Sequence, residues 1–422
     1  MRMKTLQSSL LKKNKKKILL IGGGLYGCLL AYQFSKKKNH EVVLVEKSSK
    51  LLSSFNSISI KKLNINNGFH GVEIPRCSDF LDFIKKKLKV KMVIKNKVQK
   101  LLINRSVIDF KDGINKWPKI LSDNLKKNFG IKNFKVASYF KNDFKKLIKL
   151  CSKRYSNNFE NCYQFFIPWF LPREYKISNI KDEGDLFREK VRNNKVLFKY
   201  AIPNERIFQT LQKKFYNFLK KIGVRIFLNT QVRLEKNDIK ILEGNQTKTL
   251  SYNYFDKIFY CTHSPFLLEY SNIKHLKKLN NYKRFMINLI IKVHTKVNFT
   301  EMICLNNSLP NLNRISVLSS SKNYSSLQLE IIQRDMQISK EAIATYIKEI
   351  KAVFKLKKTP QCYGHKMSRV VFYPSKNWKK KTTELIKNWK KKNNLKIFLR
   401  YDLFGAINMA KCWNYSKIDS KL

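Results

Sequence analysis

Three consecutive glycines behind a short apolar segment constrain this chain more than any other feature. Lys17 to Ile21 is predominantly apolar, as a strand buried on both faces of a parallel sheet must be. It leads into Gly22-Gly23-Gly24-Leu25-Tyr26-Gly27, which satisfies G-x-G-x-x-G through Gly22, Gly24 and Gly27. The first glycine allows a tight turn, and the second lets the backbone approach a pyrophosphate. The third lets the following helix lie close to its strand. A helix predicted from about Leu25 to Phe34 turns its N-terminal N–H groups and dipole toward those phosphates. A second apolar run, Val42 to Val45, ends in Glu46 about twenty positions after Gly24, where a carboxylate can accept from ribose hydroxyls. Strand, glycines, helix, strand and acid in this order specify a dinucleotide site far better than glycines alone.

Two blander readings compete. Lys12 to Lys17 followed by Ile18 to Leu30 has the polarity of a signal peptide, but adjacent glycines interrupt its apolar part. No small-residue cleavage site follows before Lys36. An ordinary βαβ unit without a ligand would leave Gly24 and Glu46 without a purpose.

The 422 residues are enough for two or more structural units, and no run of 18 uncharged apolar residues predicts a membrane span. Eight cysteines lie scattered, with no C-x-x-C pair and no Cys/His cluster at zinc spacing. Free thiols in a reducing cytoplasm and no metal site are therefore expected. Lysine and arginine number 87 against 29 acids, a formal charge of +58. The lysines spread along the whole chain beside abundant Asn and Ile, without a nucleic-acid fold motif. They predict no specific nucleic-acid recognition, but rather a field that attracts acidic small substrates.

Beyond Glu46, Asn66 to Gly71 is rich in turn residues, and His70 stands between two glycines. A helix is predicted near Ser78, capped by Ser78 or Asp79, with Phe80, Leu81, Phe83, Ile84 and Leu88 inward. Strands are predicted over Val90 to Leu102 and Ser106 to Phe110, and helices around Ile120 to Phe129 and Phe140 to Lys153. The aromatic, proline-punctuated stretch from Phe165 to Pro172 reads as core packing. Asn204 can cap a helix carrying Ile207, Leu211, Phe215, Phe218, Leu219 and Ile222, which Gly223 ends. Strands follow at Val224 to Leu228, Gln231 to Glu235 and Ile239 to Leu242. A further strand from Tyr254 to Thr262 re-enters the main sheet. Later strands are predicted near Phe285 to Val293, Arg314 to Leu318 and Ser326 to Ile332. A helix is predicted from Ser339 to Phe354, and finally a strand to Leu399 and a helix from about Gly405.

With both ends in view, the layout resembles the flavin-dependent amine oxidase superfamily, including UDP-galactopyranose mutase and protoporphyrinogen-oxidase-like proteins. The resemblance implies an α/β fold: a discontinuous, glutathione-reductase-like Rossmann FAD-binding domain with an inserted α+β substrate domain. It divides the chain into FAD-binding parts at 1–84, 201–265 and 371–422. An inserted substrate or helical region covers 85–200, and the substrate sheet and helix cover 266–370. FAD is the implied cofactor. Gly22, Gly24, Tyr26, Gly27 and Glu46 match its ADP-binding motif, and Gly68 and His70 match a loop beside the flavin ring. Val232 matches a residue whose backbone holds adenine, while Arg400, Asn408 and Met409 match the C-terminal flavin motif. Arg192 and Arg284 faintly resemble diphosphate-binding arginines. Some positions depart from the mutase pattern: Ser53-Ser54 and Glu205-Arg206 stand in place of paired glycines, Ile407 in place of a tyrosine, and Leu399 in place of a glycine.

The resemblance implies an enzyme acting on a small-molecule substrate, with hydride passing from a carbon beside nitrogen or oxygen to flavin N5, and with His70 the candidate polar group near N5. The alternatives are a mutase-type isomerase acting on an anionic nucleotide sugar with reduced FAD, and a non-enzymatic basic nucleotide-binding protein. A cytoplasmic location is expected. The sequence does not specify an oligomeric state.

Overall fold

The computed structural model describes residues 15–109 (apart from 56, 61–62, 67–70, 75–76, 97 and 104), 199–203, and 209–262 (apart from 236–237). It also describes 283–372 (apart from 306–308 and 310), seven residues between 383 and 391, 397–399 and 409–422. In chain order the first ten strands are β1 Lys16–Ile21, β2 His40–Val45, β3 Ser57–Ile60, β4 Leu63–Asn66, β5 Val72–Ile74, β6 Met92–Asn96, β7 Gln99–Ile103, β8 Ser106–Asp109, β9 Lys199–Pro203 and β10 Arg225–Phe227. The remainder are β11 Thr230–Leu234, β12 Asp238–Glu243, β13 Gln246–Ser251, β14 Lys257–Tyr260, β15 Lys283–Val293, β16 Glu301–Leu305, β17 Leu312–Ser320, β18 Ser325–Gln333, β19 Gln361–Phe372 and β20 Ile397–Leu399. The helices are α1 Leu25–Ser35, α2 Ser78–Lys86, α3 Gln209–Lys221, α4 Lys340–Val353 and α5 Met409–Asp419.

Three distant stretches of chain build one parallel sheet in the order β10-β2-β1-β14-β20. Alternation explains why its strands are apolar throughout. Ile18 and Leu20, with Val42 and Leu44, join the core under α1, α2, α3 and α5. Their neighbours Leu19, Ile21, Val43 and Val45 join a second core with Val232, Leu234, Ile239 and Ile241 of the antiparallel sheet β11-β12-β13. Each face is covered, so neither phase of the alternation can be polar. The C-terminal helix α5 closes the first core: Trp413 lies against Phe80 and Phe83, with ring centroids 5.8 and 5.4 Å away. The Tyr26 hydroxyl on α1 donates to the buried Asp419 carboxylate at 2.5 Å.

A seven-stranded sheet runs β19-β15-β18-β17-β16-β7-β8. Helix α4 covers one face, burying Tyr346, Ile350 and Val353 against Ile287, Leu289, Leu327 and Leu329. Ser339 caps this helix by accepting from the Ala342 N–H at 3.2 Å. The hairpin β3–β4 packs on the other face, with Ile60 beside Ile290, Leu318 and Tyr363.

Several predicted elements take a different form. The stretch Val90 to Leu102 is two strands in two sheets: β6 pairs β9, while β7 pairs β16. The apolar residues there serve two different partners, so no single strand spans them. Helix α2 starts at Ser78 behind Cys77, with no side-chain cap, so neither Ser78 nor Asp79 acts as one. Strands β3, β4, β5, β9, β13, β16 and β19 escaped the sequence pattern. The helices predicted at 120–129 and 140–153 and the stretch 165–172 lie outside the described residues.

Tyr26→Phe should lower stability by about 1.5–3 kcal/mol, the usual worth of a buried hydrogen bond to a charged acceptor. Urea denaturation measures this, and an unchanged midpoint would show that the link between α1 and α5 is inconsequential.

Candidate functional site

The fingerprint forms a tight turn at the C-terminal edge of the parallel sheet. Gly22 has φ of +109°, in the region only glycine enters freely. Its N–H donates to the Val45 carbonyl at 2.8 Å. At Gly27 a β-carbon would lie 2.0 Å from the Gly22 carbonyl oxygen, so this position is glycine because α1 touches the turn it leaves. Gly24 differs: among the described residues nothing lies within 4 Å of where its β-carbon would stand. It precedes the first turn of α1 without any side-chain cap, so the helix N–H groups open onto free space. This is a cradle shaped for an anion.

Glu46 sits at the end of β2, 8% exposed. One carboxylate oxygen accepts from the Gly23 N–H at 2.6 Å and the other from the Ser48 N–H at 2.8 Å. Its backbone is fixed as well, with its N–H on Phe227 O and its carbonyl accepting from Thr230 N. Each oxygen keeps a lone pair for a further donor, as a ribose ligand requires. Burial, then the Glu46 carboxylate, raises the Cys28 thiol well above its ordinary pKa, so no thiolate nucleophile stands beside the turn.

The other predicted site residues are distributed as follows. Val232 lies on β11, the edge strand of its sheet, paired with Ile241 and 5% exposed. The Tyr26 side chain points into the protein toward Asp419, leaving only its backbone for a cofactor. The helical turn of α1 carries this position toward α5. Met409 opens α5 and packs on the first core. Gly68, His70, Arg192, Arg400 and Asn408 lie outside the described residues, as does the predicted helix start at Gly405. Among the described residues no cluster of His, Cys, Asp and Glu could hold a metal, and six free cysteines are present. No helix among them is long and apolar enough to cross a membrane.

A second set of residues escaped the sequence reading. On the seven-stranded sheet, the face opposite α4 carries a buried polar row. Asn288 pairs in register with Glu330, and Glu330 with Arg314. The Arg314 guanidinium forks onto Glu330 at 3.1 and 2.6 Å and reaches Glu301 at 3.5 Å. The Gln328 side-chain amide donates to Asn288 Oδ1 at 2.9 Å. The Asn288 amide nitrogen and the Ser316 hydroxyl are buried without a hydrogen-bond partner among the described residues. Arg284, 3% exposed, shares the alternation of Asn288 along β15 and so lies on this face. Burial and Glu301 together raise the pKa of Tyr200 on β9. The β3–β4 hairpin, which continues the chain from the nucleotide segment, lies on this same face.

With this geometry in view, residues 20–84 match the family model of an NAD(P)-binding Rossmann-like domain. No curated protein sequence matches the chain. The fold is similar to a solved reduced UDP-galactopyranose mutase at a TM-score of 0.63 and 13% identity, covering 96% of this chain and 93% of that one. It is similar to a protoporphyrinogen oxidase-like protein from Exiguobacterium sp. 255-15, at a TM-score of 0.62 and 9% identity over 96% and 98% of the two chains. A putrescine oxidase gives a TM-score of 0.56 at 10% identity over 96% and 98%. The architecture is thus a Rossmann-like domain within a fold shared with these solved structures.

Gly24→Ala and Gly27→Ala should separate function from folding. The first places its methyl in open space, so the fold survives while dinucleotide affinity falls about tenfold or more. The second drives a methyl into a carbonyl and should cost several kcal/mol of stability. Circular dichroism melts and cofactor titration test the pair, and equal effects of the two would contradict the cradle.

Proposed function

We propose that the protein binds FAD and is an oxidoreductase acting on a small polar substrate. The single observation that carries this reading is the Gly24 cradle at the head of α1, with the Glu46 carboxylate fixed at the adjacent strand end. Helix N–H groups there take the pyrophosphate, and the second lone pairs of Glu46 take ribose hydroxyls. The edge strand holding Val232 offers backbone to adenine. When bound, flavin supplies the hydride-accepting N5, and the protein's part is to bind, orient and keep water out. Gly68, His70, Arg400 and Asn408 complete the flavin end in this reading, on the family resemblance alone, with Met409 at the start of α5.

The substrate is polar because the sheet face bearing Asn288, Glu330, Arg314 and Ser316 is polar although buried. The Asn288 amide and Ser316 hydroxyl, without partners among the described residues, suit hydroxyl or carbonyl groups. Arg284 on that face supports the second reading, a mutase-like isomerisation of an anionic nucleotide sugar with reduced FAD. Ile407 and Leu399 depart from the mutase pattern and favour net oxidation. Mixing anaerobic, oxidised, FAD-loaded protein with candidate substrates decides between them. Bleaching of the flavin by an amine or alcohol substrate is the expected result. Isomerisation of UDP-galactose only after dithionite reduction, with no bleaching, would overturn the oxidase reading.

Glu46→Gln should weaken FAD binding by about 1–3 kcal/mol, through loss of a charge-assisted acceptor. The new amide also confronts one of the two N–H groups with a donor, so the turn itself loosens. Wild-type FAD affinity in equilibrium titration would remove Glu46 from the ribose site.

A further inference from the structure

We propose that Gln212, on α3 far from the glycine turn in sequence, is a positioning residue for the dinucleotide site; this rests on the FAD reading above. Gln212 is 4% exposed, and its amide nitrogen donates to the Leu51 carbonyl at 2.5 Å and to the Leu52 carbonyl at 3.2 Å. Leu52 has φ of +53°, a left-handed conformation that a leucine seldom adopts unless its surroundings enforce it. It stands next to Ser53, where the family pattern has paired glycines. The Gln212 amide supplies the enforcement by holding the carbonyls on both sides of the Leu51–Leu52 step.

The reason to hold Leu52 lies one contact further on. Its N–H donates to the Gly23 carbonyl at 2.7 Å, and the Gly23 N–H donates to Glu46 at 2.6 Å. A β-carbon on Gly23 would lie 2.5 Å from a Leu51 methyl, so the loop also lies directly against the turn. Both ends of Gly23 are thus gripped, one by the loop and one by the ribose-binding acid. The orientation of the Gly23–Gly24 peptide decides whether the next N–H faces the cradle. Gln212 sets that orientation through Leu51 and Leu52 without touching the cofactor.

The test compares wild type with Gln212→Leu, which keeps shape but loses the donor, and with Gln212→Glu. Ile350→Ala, in the separate core under α4, serves as an equally destabilised control. Hydrogen exchange of the Leu52 and Gly23 amides is followed in FAD-free protein, and FAD dissociation constants are measured at pH 8 and pH 6. The expected result is exchange at those two amides accelerated at least tenfold in Gln212→Leu, with FAD bound about tenfold more weakly. Gln212→Glu should be equally impaired at pH 8 and recover toward pH 6, where a buried, protonated acid regains its donor. Ile350→Ala should melt earlier yet bind FAD as wild type does. Unchanged exchange, or faster exchange with wild-type FAD affinity, overturns the positioning role. So does an affinity loss in Ile350→Ala that matches that of Gln212→Leu. Wild-type protein that takes up no FAD overturns the cofactor reading and this inference with it, whereas FAD bound equally by Gln212→Leu overturns this inference alone.

Discussion

The carboxylate of Glu46 bonded to the Gly23 amide is the contact on which the site depends. It joins the end of the second strand to the middle of the glycine turn, and so fixes two ligand-facing elements relative to each other. A buried acid is tolerable only when donors surround it, and here the protein's own backbone provides two. Strand β10 on one side and the start of β11 on the other then clamp the Glu46 backbone. A parallel sheet buried on both faces supplies the rigidity this needs, because a strand end can be held to a fraction of an ångström only if the strand cannot shift register.

The C-terminal helix extends the same logic across the chain. Its Asp419 takes the hydroxyl of Tyr26 from within the fingerprint, and Lys417 reaches Asp79 of α2 at 2.8 Å. The last residues of the chain therefore brace the first helix. The high positive charge plays little part in such contacts, since pairs of this kind at the surface are weak and screened. It acts on what approaches the protein more than on how the protein holds together.

Much of the half around the glycine turn was legible because its physics is local. A glycine at Gly27 and an acid at Glu46 are demanded by spacing, and Gly223 and Gly244 mark their turns with positive φ as glycines do. The buried polar face of the seven-stranded sheet was not legible, for a definite reason. Ser326-Leu327-Gln328-Leu329-Glu330-Ile331 alternates as an exposed strand would, yet both phases are buried. Sequence periodicity records polarity, whereas here the polar side meets more protein. Leu52 was illegible in another way, because a left-handed leucine leaves no trace in the pattern when a distant glutamine holds it.

The glycine turn and Glu46 are defined by what they hold. The direct measurement is the visible absorption spectrum of the purified protein, with chromatographic identification of anything released on denaturation. Visible flavin absorption is expected, with released FAD in near-equal proportion to protein. A colourless protein that stays colourless after incubation with excess FAD would contradict it.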